Sequence, residues 1–137
     1  MVLGFDARTS TKAVDAVVLP SSDVLLVRQM TARIADEFQW DPDWLNDEAK
    51  GFLLGRVELI PLYSNVGIRV FRPSTAQLLA MKLVAWRDDV DIADARLLLK
   101  NLSTSIIEET WVSLLAYVRP GLELKARYAL EDLWQSA

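Results

Sequence analysis

The chain reads as an α+β protein: a small mixed β-sheet with helices packed on it, followed by a helical C-terminal half. Three observations predict this. A short β-branched run, AVDAVVL at 13–19, stops at Pro20-Ser21-Ser22, and two further strand-like runs flank the turn residues Asn65-Val66-Gly67. From Pro73 onward, apolar residues recur at helical spacing behind N-capping signatures.

Taken in order, 13–19 is a buried strand, and its alternation sets Ala13, Asp15 and Val17 on one face against Val14, Ala16 and Val18 on the other. Asp15 is then a carboxylate in an apolar strand and must meet a cation, a donor or solvent at the sheet's edge. Over 23–38, Val27, Met30, Ile34 and Phe38 fall on one stripe, which predicts an amphipathic helix packed on that strand. Asp41-Pro42-Asp43 marks a turn, and 44–54 is read as one short helix. Strands at 56–62 and 68–71 pair as a hairpin. Helices follow near 75–87, 90–100, 105–118 and 121–135; Ser74 with Gln77, and Ser105 with Glu108, have the spacing of capping boxes, and Pro120-Gly121 separates the last two helices. The reading is a single domain over 1–137, with a sheet-containing part at 1–73 and a helical part at 74–137.

Composition narrows the chemistry. With 137 residues, 52% of them hydrophobic, the chain is long enough for one core. Its apolar runs fall far short of the roughly 20 residues of a membrane-spanning helix, and the first residues lack the pattern of a secretory leader. A soluble, cytoplasmic protein with no membrane partner is expected. Cysteine and histidine are absent, which excludes disulfides, thiol nucleophiles, a Ser-His-Asp triad and zinc sites built on Cys or His. What remains is oxygen-ligand chemistry, for which carboxylates and magnesium are the natural pair. The formal net charge of -4 argues mildly against nonspecific nucleic-acid binding.

Two stretches could carry such chemistry. LLAMKLVAW at 78–86 is apolar all round except at Lys82, whose ammonium must either find an anion or snorkel to water. In the next helix Asp91 and Asp94 stand three apart and share a face, while Asp88 and Asp89 read as N-terminal caps. Trp44, Asn46, Asp47 and Lys50 form a polar and aromatic cluster around a turn, suited to local hydrogen bonds and packing.

Taken together, ARTSTKAVDAVVLP, DPDWLNDEAKGFL and RPSTAQLLAMKLVAWRDDVDIADARLLL resemble the DUF6036 nucleotidyltransferases, related to AbiEii-type toxins. The resemblance spans nearly the whole chain. It implies a transferase that moves a nucleotidyl group from an NTP to RNA or protein with magnesium, in a toxin–antitoxin setting, with an antitoxin, an RNA substrate and a second copy of the chain as partners. It implies Asp15 as a metal-binding carboxylate, Lys82, Asp91 and Asp94 as catalytic residues, and Thr11, Lys12 and Lys82 as nucleotide contacts. Trp44, Asn46, Asp47 and Lys50 belong to the pattern without an assigned role. Two departures stand out: Ala13 occupies the position of the partner metal-binding Asp, and the resemblance places the glycine turn that holds phosphates just ahead of Met1. The implied protein is therefore impaired in transfer. The alternative is a noncatalytic relative that binds a nucleotide or a protein. On the first reading, Lys82→Met is expected to cost little stability while abolishing nucleotide binding.

Overall fold

The computed structural model describes residues 14–19, 21–47, 57–85 and 89–136. They fall into two compact units, one holding the described residues up to 47 and the other those from 57 onward. The hairpin thus groups with the helices that follow it. The class is α+β with a helical C-terminal half, as the sequence predicts. The strands, however, form two separate two-stranded sheets among the described residues instead of one mixed sheet.

In the first unit, β1 (Val14–Asp15) and β2 (Leu45–Asn46) pair in parallel, with Val14 opposite Leu45 and Asp15 opposite Asn46. The Val14 N–H donates to the Trp44 carbonyl at 2.6 Å and the Ala16 N–H to the Asn46 carbonyl at 2.8 Å. The short helix expected over 44–54 is therefore a strand where it begins. Parallel pairing joins stretches about thirty residues apart and needs a crossover between them, so no local pattern announces it.

That crossover is a 3-10 turn, Ser21–Asp23, running into α1 (Val24–Phe38). The helix is the one the spacing predicts, but its packed face differs. Ala35 is buried and Val24, Val27, Thr31 and Ile34 are half-buried, whereas Met30 and Phe38 are exposed. The indole N–H of Trp44 donates to the Thr31 carbonyl at 3.0 Å, which fastens the approach to β2 along the 27–31–35 side of the helix.

The second unit opens with the hairpin of β3 (Ile60–Ser64) and β4 (Arg69–Arg72), antiparallel as expected, with an irregularity between Pro61 and Tyr63. Proline has no N–H to give the ladder, which suits it to such a position. Asn65 builds the turn: its side-chain oxygen accepts the N–H groups of Gly67 at 2.9 Å and Ile68 at 3.2 Å.

Four helices complete this unit: α2 (Thr75–Ala85), α3 (Asp89–Leu102), α4 (Ile107–Leu115) and α5 (Glu123–Gln135). α2 lies against each of the other three, which explains its sequence, since a helix contacted on several sides must be apolar on several sides. Its start is capped as the spacing predicts, the Gln77 N–H donating to the Ser74 hydroxyl at 3.2 Å. Leu79, Leu83, Leu98, Leu114, Leu130 and Leu133 are fully buried at the helix contacts, each worth about 1.5–3 kcal/mol of apolar transfer.

The second expected capping box does not form. α4 starts behind extended Ile106, one residue after Ser105, without a side-chain cap, and the Glu108 carboxylate is taken by Arg127 of α5 at 2.6 Å. The Thr104 and Thr110 hydroxyls hydrogen-bond to each other instead.

Between α4 and α5, Gly121 adopts φ 94°, a conformation open to glycine and strained for other residues. A methyl group there meets no atom within 4 Å, so Gly121→Ala is expected to cost only backbone strain, about 1–2 kcal/mol. Denaturant titration measures this; an unchanged midpoint would show that the turn relaxes freely. No helix among the described residues is long and apolar enough to cross a membrane.

Candidate functional site

The residue that sequence periodicity isolates on α2 finds its anions on α3. Lys82 Nζ stands 2.9 Å from Asp91 Oδ1 and 3.0 Å from Asp94 Oδ2. The spacing of three between the two acids does what helix geometry requires, presenting both carboxylates to one neighbour. Asp91 is 6% and Asp94 2% exposed, and the Lys82 side chain retains a quarter of its accessibility. An ionised carboxylate buried without a partner costs several kcal/mol, and here a shared ammonium offsets that cost for two.

Burial by itself would lower the Lys82 pKa. The hydrogen bonds that Lys82 donates to Asp91 and then to Asp94, with the charges of both, outweigh it and hold the group above its ordinary 10.5. Lys82 is therefore a fixed cation at neutral pH, unsuited to acting as a general base. Two of the three ammonium donors are directed at carboxylates, and the solvent-facing part of the side chain is where an external anion could approach.

The other predicted positions among the described residues belong to the first unit. Asp15, on β1 in the first unit, is exposed, so it meets solvent, one of the three surroundings its sequence context required. Trp44 is half-buried and hydrogen-bonded to the Thr31 carbonyl. Asn46 pairs through its backbone in β2. Asp47 is exposed and lies 3.7 Å from Arg28, an ion pair of the kind worth about 0–1 kcal/mol. Thr11, Lys12, Ala13 and Lys50, together with the cap position Asp88, fall outside the described residues.

Magnesium, which the resemblance implies, needs oxygens free to face a cation. Asp91 and Asp94 both face an ammonium, and a metal ion placed between them would meet its charge. No group of three or more metal-ligating side chains occurs among the described residues. The donors on these elements do not fit a magnesium site.

Sequence reasoning missed a second charged cluster, centred on Arg127. Its guanidinium bonds Glu108 at 2.6 Å and Glu131 at 2.8 Å and lies 5.7 Å from the centre of the Trp111 ring. The hydrogen bond that Arg127 donates to Glu108 lowers the pKa of that carboxyl, and the bonds it donates to Glu108 and Glu131 raise its own. The Arg127–Glu131 pair was readable from its spacing of four. Glu108, nineteen residues before Arg127, enters only because α4 packs on α5. The cluster links two helices and leaves no donor set for a substrate.

Compared with known proteins, the chain matches no family model, no curated protein and no solved structure.

Proposed function

We propose that the chain is a nucleotidyltransferase-type protein that has kept a nucleotide-binding capacity and is impaired in transfer. The observation that supports this most is the meeting of Lys82 with Asp91 and Asp94, three residues that the resemblance to the DUF6036 family singles out from separate helices. In this reading the two buried carboxylates hold the lysine at a fixed position, and its accessible side receives a phosphate oxygen of an NTP.

Two features make binding, not transfer, the present activity. Ala13 offers no oxygen beside Asp15, and Asp91 and Asp94 are committed to Lys82, so magnesium is held weakly or not at all. A toxin-like action on RNA or protein, with an antitoxin and a second copy as partners, belongs to relatives that carry an Asp at the position of Ala13. The alternative is a noncatalytic relative kept for binding a nucleotide or a protein.

Calorimetry with each nucleoside triphosphate, with and without magnesium, tests the proposal. Weak binding is expected for the natural sequence, tightened by magnesium in Ala13→Asp, which restores a carboxylate ligand. Absence of binding by either protein sinks the nucleotide reading. Label transfer from an NTP to RNA or protein at an ordinary enzymatic rate would sink the impairment.

A further inference from the structure

The segment that closes α1 carries a feature the nucleotide reading leaves unused. Phe38, Trp40 and Trp44 form a row: the ring centres of Phe38 and Trp40 stand 5.5 Å apart and those of Trp40 and Trp44 5.3 Å, the second pair edge to face. Rings of this size are ordinarily mostly covered, yet Phe38 is 58% and Trp40 51% exposed. The row is held in place by its backbone. Gln39 turns the chain at φ 55°, the Trp40 N–H returns to the Ala35 carbonyl at 2.9 Å, and the Asp43 N–H donates to the Asp41 carboxylate at 2.8 Å.

Four acidic residues flank the rings in sequence. Asp36, Glu37, Asp41 and Asp43 are all exposed, and none of them pairs with a basic side chain among the described residues. We propose that this row is a docking surface for an arginine-bearing segment of a protein partner. A guanidinium stacks on the face of an indole and is attracted by its quadrupole, while its N–H groups reach carboxylates beside the ring. Both halves of that recognition are present within nine residues.

The same charges decide against other occupants. Nucleic acid and anionic lipid surfaces meet repulsion from four carboxylates. A second copy docking through the same face would set those carboxylates against themselves, because a two-fold interface is made of one patch twice. An uncharged apolar partner would strip water from them without replacing it. This inference is independent of nucleotide binding and stands if that reading fails.

The test uses the full chain and a tetra-arginine peptide, followed by amide chemical shifts and tryptophan fluorescence, with tetra-glutamate as the control. Shifts are expected to concentrate on 36–44. Trp40→Ala, which leaves the net charge unchanged, is expected to weaken binding about fivefold, and Asp36→Asn with Glu37→Gln is expected to weaken it as well. Shifts spread evenly over the acidic surface, or an affinity indifferent to Trp40→Ala, would overturn the proposal. So would self-association in sedimentation that Trp40→Ala abolishes, which would assign the row to a second copy.

Discussion

Lys82→Met is expected to lower the stability of the helical unit by about 3–5 kcal/mol, the range found when one partner of a buried ion pair is removed. Methionine fills the volume of the lysine stem but leaves Asp91 and Asp94, 6% and 2% exposed, without the ammonium that lies 2.9 and 3.0 Å away. This reverses the sequence-based expectation that the substitution costs little. That expectation treated Lys82 as a free functional group, whereas burial of both acids makes it structural whatever else it does. Urea unfolding of Lys82→Met, and of the same variant with Asp91→Asn and Asp94→Asn added, measures the effect. The triple variant is expected to recover most of the loss, because neutral amides no longer need a counter-charge. A single variant within about 1 kcal/mol of the natural protein, less than a surface ion pair's upper range, would show that the carboxylates are solvated.

The same cluster fixes a pH dependence whose sign follows from the raised pKa of Lys82. The folded protein holds the proton more tightly than the unfolded chain, so the contribution is fully present below the ordinary 10.5 and is lost as pH rises through the higher folded value. The stability gap between natural protein and Lys82→Met should therefore be constant through neutral pH and narrow in strong alkali as Lys82 loses its proton.

Leu130→Ala carries the other large expected effect, about 2–5 kcal/mol. Leu130 is 0% exposed within the cluster that joins α2 to α5, and truncation there removes transfer energy and leaves a void that packed helices fill only in part. Leu124, on the same helix and 67% exposed, provides the comparison: Leu124→Ala should stay within about 0.5 kcal/mol of the natural protein. A lower denaturant midpoint with unchanged slope identifies a loss of stability without a change in the surface exposed on unfolding. Equal effects at the two positions would mean that α5 does not present the face described.

Much of the helical half was legible because its signals are local. Ser74 three residues before Gln77 announces the cap that forms, and an all-apolar stretch around one lysine announces a central helix. Asp91 and Asp94 could be placed on one face by counting, and they are. The hairpin followed from Asn65 and Gly67, whose turn bonds are made within three residues. The local signal at Ser105 and Glu108 misled because α4 starts one residue later, behind Ile106, and Glu108 meets Arg127 instead.

The sequence by itself determined the α+β class, the approximate bounds of α1 and of the helices after Pro73, the hairpin, and the face shared by Asp91 and Asp94. Only the tertiary structure decided which anions Lys82 meets, that β2 is a strand lying parallel to β1, that Met30 and Phe38 lie off the packed face of α1, and that Asp15 is exposed. The reason is physical. Helical periodicity and turn chemistry are written over spans of three to seven residues, whereas burial, parallel pairing and a lysine's choice of carboxylate depend on segments brought together across the fold.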